Sequence, residues 1–230
     1  MIQIQDTLRK LRLSGLMQTL DVRLAEAAAS RLSHGEFLEL ILQDEIQVRQ
    51  QRYLARRTKA ADFRALKSLE DFDWQFNASI NRRQIFELAA GNYLRDAHDI
   101  LFIGPPGIGK THLAQALGYE AIKQGKDVLY RSIFDLVRDF MCDEAFNQQD
   151  KTLRKYLKPD LLIIDDMGLK ALPKSSGEYL LEVVIRPKYG QSSRIAPSSQ
   201  RRRRCHSPMG SDIYDKNRKP LIPPVNRCHG

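Results

Sequence analysis

The chain has 230 residues, 42% apolar and 28% charged, with three cysteines; this suits one large domain or a medium and a small one and excludes a disulfide-stapled mini-protein, a wholly disordered chain and a membrane-embedded one. The formal charge of +9 suggests a polyanionic partner such as DNA. Its distribution excludes the simplest version of that idea: residues 1–98 carry fifteen basic against thirteen acidic side chains, 99–190 thirteen against thirteen, and 191–230 nine against two.

Residues 1–60 predict an N-terminal helical domain. Ile4, Leu8, Leu11 and then Leu16, Leu20, Leu24 recur at steps of three and four, the spacing of one buried helical face, with Ser14-Gly15 interrupting the pair. Ser33 and Glu36 have capping-box spacing, and Phe37, Leu40, Ile41 and Val48 continue as the apolar stripe of a long third helix. That helix ends in RQQRYLARRTK, where Arg49, Arg52, Arg56, Arg57 and Lys59 surround Tyr53. Charged helix ends are commonly just solvated; five cations with one aromatic also suit contact with DNA phosphates.

Residues 61–98 predict a connector and a helix. ADFRALKSLEDFDWQFNASI mixes aromatics and acids without a sustained period, as expected of a segment packed on something, and a helix spans about Asn81 to Ala90, closed by Gly91. Trp74 suits an anchor in that connector better than an adenine contact.

From Asp99 short apolar runs alternate with helices: ILFI, a helix from Lys110 to about Gln124, DVLY, a helix near Ser132 to Met141, LLIID, and a helix from about Ser176 to Val184 ended by Tyr189-Gly190. Such alternation predicts an α/β fold with a parallel sheet over residues 99–190. LLII has no polar alternation, as a central strand covered on both faces requires. Residues 191–230 hold four consecutive arginines and five prolines and show no apolar period, so they are expected to be a disordered basic tail.

The chemistry concentrates in two motifs. Gly104, Pro105, Pro106, Gly107, Ile108, Gly109, Lys110 and Thr111 satisfy G-x-x-x-x-G-K-[ST], with an apolar strand before and a helix after. The glycines let the backbone turn its N–H groups toward phosphate oxygens, and the helix N-terminus adds its dipole. Lys110 supplies a charge for the β and γ phosphates, and Thr111 a hard oxygen for Mg²⁺. Leu161 to Asp166 then form a strand ending in two carboxylates. Alone this is more often a turn; paired with the first motif it is the Walker B pattern, with Asp165 on Mg²⁺ and Asp166 orienting or deprotonating water. Lys110 and Asp166 are the catalytic candidates. Cys205-His206 and Cys228-His229 lack the ligand spacing of structural zinc sites; Cys142 is expected to be a packed thiol and His112 a structural side chain.

Together LRLSGLMQTL, RRTKAADFRALKSLEDFDW, ILFIGPPGIGKTHLAQALGYEAIKQGKDVLY and LLIIDDMGL resemble the IstB-like helper ATPases of bacterial insertion sequences, relatives of DnaC-type helicase loaders and DnaA in the AAA+ class. The resemblance covers residues 1–190. It implies a helical domain joined to a P-loop ATPase core, binding of ATP and Mg²⁺, oligomers on duplex DNA without sequence preference, and work with the element's transposase in target selection. The basic cluster from Arg49 to Lys59 then becomes an expected DNA surface. After Gly190 the family's apolar strand with a Thr-Ser-Asn-like sensor and its Leu-Asp-Arg-Leu segment are not recognisable, so a frame change, an incomplete sheet that leaves the phosphate-loop strand unpaired on one side or its neighbours uncovered, and impaired turnover are expected. Two other readings stand beside this one: a non-catalytic remnant that still binds nucleotide, and a helicase-loader-like adaptor. With few cysteines and no secretory leader or spanning segment, the expected setting is a reducing cytoplasm.

Overall fold

The structure, a computed structural model, describes residues 2–77, 80–145, 149–167, 172–173, 176–185, 193–198 and 212–214. The chain divides into two compact units, Met1–Arg56 and Arg57–Gly230.

The first unit is helical. It contains α1 (Ile2–Lys10), α2 (Ser14–Ser30) and most of α3 (His34–Ala61). The interruption falls at residues 11–13, one turn earlier than Ser14-Gly15, which instead open α2. Leu8, Leu16, Leu20 and Ile41 form the buried cluster, with Leu13 and Phe37 against it, whereas Ile4, Leu11 and Leu24 are exposed. The capping box is formed: Glu36 N–H donates to Ser33 Oγ at 3.3 Å and Ser33 N–H to Glu36 Oε2 at 2.8 Å.

The start of α2 has no local side-chain cap. Its orphan donors are satisfied from α3: Gly15 and Leu16 N–H donate to Glu45 Oε2 at 2.6 and 3.2 Å. Burial alone would raise the Glu45 pKa, but Arg49 and these two N–H groups outweigh it and hold it below the usual value. One turn position away, Arg23 grips Asp44 with two 2.8 Å hydrogen bonds and pulls its pKa down to about 2, with Thr19 assisting.

The second unit is an α/β sheet of order β2-β3-β4-β1-β5. Its strands are β1 (Ile100–Ile103), β2 (Val128–Ser132), β3 (Leu161–Asp165), β4 (Ser193–Ser198) and β5 (Asp212–Tyr214). The first four run parallel, and β5 joins β1 antiparallel. Among them run α6 (Lys110–Lys123), α7 (Ile133–Ala145), α8 (Gln149–Leu157) and α9 (Ser176–Ile185), preceded by α4 (Arg82–Ala89) and α5 (Asn92–Arg95). Asn81 caps α4 by accepting from Gln84 N–H at 3.2 Å, and Gly91, at φ 82°, separates α4 from α5. All five residues of β3 are buried, as its unbroken apolar run requires. One core holds Leu129, Leu136, Phe140, Tyr156, Ile164 and Val183, with the Phe140 ring stacked between Tyr156 and Tyr179.

Two expectations are corrected. The sheet does not stop at Gly190: β4 lies between β3 and β1, and β5 pairs the other edge of β1, so the phosphate-loop strand is paired on both sides. β4 is hard to recognise because its buried residues include Ser193 and Arg194, each with a side-chain partner: Ser193 Oγ donates to Tyr93 O at 2.8 Å, and the Arg194 guanidinium to Asp99 Oδ2 at 3.4 Å, beside the Arg194 backbone N–H bond to Asp99 Oδ1 at 3.0 Å. Pro197 has no N–H to give, and the β3–β4 ladder ends before it, at Ile195. The second correction is Cys142, which lies within α7 and is exposed rather than packed. The arginine run 201–204, both Cys-His pairs and Tyr189-Gly190 lie outside the described residues. Among the described residues no helix is long and apolar enough to cross a membrane, and none cluster as three or more metal-ligating side chains.

Candidate functional site

The turn from β1 into α6 is built by two glycines in the left-handed region, Gly107 at φ 83° and Gly109 at φ 92°. Gly109 caps α6, and a Cβ there would lie 2.8 Å from the Phe72 ring, so glycine is required twice over. Lys110 Nζ reaches back across the loop and donates to the carbonyls of Gly104 and Pro105 at 2.9 and 2.7 Å. Burial lowers its pKa, and the nearby Asp165 charge opposes that shift. Ile108 is half-buried between the loop glycines.

The parallel register brings the C-terminal end of β3 to the same rim. Thr111 Oγ1 donates to Asp165 Oδ1 at 3.1 Å, joining motifs 54 residues apart in sequence. Asp165 is 2% exposed, and its oxygens also accept from Tyr130 OH at 2.7 Å and Asp166 N–H at 2.8 Å. These three donors are neutral, so a buried carboxylate and a threonine hydroxyl present hard oxygen ligands to a divalent cation. Burial, reinforced by Asp165, pushes the Tyr130 phenol well above its usual value and keeps it a donor. Asp166 follows in the left-handed region, at φ 62°, and its carboxylate pairs with Arg64. Pro106, Gly107, Gly109, Lys110 and Thr111 enclose a cavity of about 240 Å³ with the two acids, Met167 and Pro197. A larger cavity, about 560 Å³, lies along α7 between Phe134, Met141 and Leu172, but it is apolar and away from these groups.

A match to the family model for IstB-like ATP binding protein spans residues 6–212. The chain belongs to that family. The match runs through β4 and beyond the point at which the sequence reading placed the departure. An insertion-sequence ATP-binding protein of Mycobacterium tuberculosis is 34% identical over 181 residues, 79% of this chain and 72% of that one. One from Pseudomonas fluorescens is 36% identical over 178 residues, 77% of each. Among solved structures, AMPPCP-bound DnaA from Aquifex aeolicus superposes with a TM-score of 0.50 at 23% identity, over 60% of this chain and 43% of DnaA. That likeness concerns the fold alone.

Within this IstB-like chain, the eight loop residues, Asp165 and Asp166 come together; the basic candidates lie on α3. Arg52 and Arg56 are exposed, Arg52 hydrogen-bonded to Ser14 and Arg56 lying 5.8 Å from the Tyr53 ring centre. Arg49 is paired with the buried Glu45 at 2.7 Å, and Lys59 is exposed on the last turn. Arg57 differs, turning inward to the Gly125 carbonyl at 2.5 Å and Asp127 at 3.1 Å.

Residues missed from sequence are Tyr130, Arg64 and Phe72, which touch the motifs only through the fold. The His112 ring lies 5.1 Å from that of Phe72, with its Nε2 3.0 Å from Ser68 O, a packed position in the connector's company. Trp74 is an anchor, stacked on Phe86 and set edge-on to Phe72, with Arg82 over its ring.

Proposed function

We propose that this chain binds ATP with Mg²⁺ in the Gly104–Thr111 loop and hydrolyses it as a helper of DNA transposition. The observation that carries the reading is the Thr111–Asp165 hydrogen bond, which sets a phosphate loop and an acidic strand end on one rim. Backbone N–H groups of the loop and the α6 N-terminus would hold the β and γ phosphates, with Lys110 released from its two carbonyls to neutralise them. Thr111 and Asp165 would hold Mg²⁺, which supplies charge neutralisation between the phosphates. Asp166 would orient the attacking water. Its oxygen bonds to the γ phosphorus while the bond to the bridging oxygen of ADP breaks, and the water's protons leave to phosphate or solvent.

The insertion-sequence setting of its relatives supports a transposase as partner, duplex DNA as the surface on which the protein acts, and assembly of several copies there. On that reading Arg49, Arg52 and Arg56 offer phosphate contacts indifferent to sequence, with Lys59 beyond them; Arg57 is spent within its own unit. The cytoplasm is the setting in which DNA and ATP are both available. Measuring phosphate release with and without duplex DNA tests the reading. DNA should stimulate release by the parent chain, and Lys110→Ala should abolish it. Release that is equal in the parent and Lys110→Ala would overturn hydrolysis at this loop.

A further inference from the structure

The connector that precedes the sheet sends one charged side chain to the acidic rim. Arg64 pairs with Asp166 through its guanidinium, 102 residues away in sequence. An exposed ion pair by itself carries little weight, because two long side chains must be ordered to make it. Here the ordering is supplied by the neighbours. Asp62, at φ 57°, accepts from Arg131 at 2.6 Å; the Phe63 ring lies 6.1 Å from that of Tyr130; and Ala65 N–H donates to Gln115 Oε1 at 3.3 Å. Phe63 also fills the space opposite Gly118, where a Cβ on α6 would stand 3.1 Å from its ring. Residues 62–65 are thus a strap fixed to β2 on one side and α6 on the other, and Arg64 is its one side chain directed at the acids.

We propose that Arg64 is a positioning residue that holds the Asp166 carboxylate in an ion pair and so restrains hydrolysis until the strap is displaced. The proposal rests on the reading of Asp166 as the group that orients water. The Asp166 oxygen that accepts from the guanidinium has one fewer lone pair to offer water, and the pair fixes the carboxylate's orientation and offsets part of its charge. Arg64 hydrogen-bonds the Asp166 carboxylate, whereas Asp165 keeps its own three donors and feels Arg64 only as a nearby charge, so nucleotide binding and hydrolysis separate: Arg64 acts chiefly on turnover.

Arg64 is more than half exposed, so its replacement leaves the core intact. The test measures two quantities on the full chain: affinity for a non-hydrolysable ATP analogue with Mg²⁺, and phosphate release at saturating ATP. Arg64→Ala should bind the analogue as the parent does and release phosphate about two- to fivefold faster, the range set by an exposed ion pair. Arg64→Lys, which keeps the charge, should stay near the parent. In an Asp166→Asn background Arg64→Ala should change nothing. Turnover that is unchanged or lower in Arg64→Ala with affinity intact overturns the proposal, as does an increase that persists with Asp166→Asn. A parent chain that fails to bind the analogue overturns the nucleotide reading itself, which the binding titration distinguishes from failure of the Arg64 restraint.

Discussion

Asp165 shows how a single buried charge is made tolerable. Its carboxylate is held by a threonine hydroxyl, a tyrosine hydroxyl and a backbone N–H, each worth more in this dry setting than in water. Tyr130 is the partner whose removal is cleanest, because phenylalanine keeps the ring and deletes only the donor. Tyr130→Phe should lower unfolding stability by about 1–3 kcal/mol, the cost of leaving a buried acceptor unsatisfied. Denaturant unfolding of the two proteins measures it, and equal midpoints would mean that the hydroxyl does not support Asp165. The loop and both acids were legible as residues, since a phosphate loop needs its glycines, lysine and threonine within eight consecutive positions. Tyr130 and Arg64 were not, because an ordinary strand tyrosine and a connector arginine carry no local signature of the carboxylates they meet.

At the scale of elements, legibility follows how local the cause is. The capping box at Ser33 and Glu36 is contained in four residues, and α3 begins at His34, next to it. The cap of α2 is supplied by Glu45 from thirty residues away, so the sequence marks only the break and misplaces it by a turn. α8 has no sequence signature because, among its described side chains, QDKTLRKYL buries Thr152, Leu153 and Tyr156, too few to set an apolar period. β4 lacks one because serine, arginine and proline replace the expected aliphatic run, and tertiary partners override those poor strand propensities. The SGLM segment, by contrast, has a steric explanation. A Cβ at Gly15 would stand 2.7 Å from the Glu45 Cα, so α2 and α3 approach with no room for a side chain. Gly15→Ala must push backbone rather than a flexible side chain and should destabilise the helical unit by about 1–3 kcal/mol, as overpacking does. Thermal unfolding followed by circular dichroism reads this out; an unchanged midpoint would show that the helices separate freely.

Across the whole chain the charge of +9 is unevenly placed. The segment 99–190 is balanced, and most of the surplus follows residue 190. On the proposed function the candidate contacts for a polyanion among the described residues are local: Lys110 in the phosphate loop, and the arginines of α3, of which Arg57 is already engaged elsewhere. The sheet order also changes the meaning of the later residues, because β4 and β5 close both sides of β1 and complete the support beneath the loop. On the proposed function the loop and Asp165 form one Mg²⁺-dependent nucleotide site. Titration of a fluorescent ATP analogue into the parent chain and into Lys110→Ala, with and without Mg²⁺, puts this to the test. The parent should bind saturably and more tightly with Mg²⁺, and Lys110→Ala should weaken binding about 10- to 100-fold, the loss of a charge-assisted contact to phosphate. Equal affinities for the two proteins, indifferent to Mg²⁺, would contradict it.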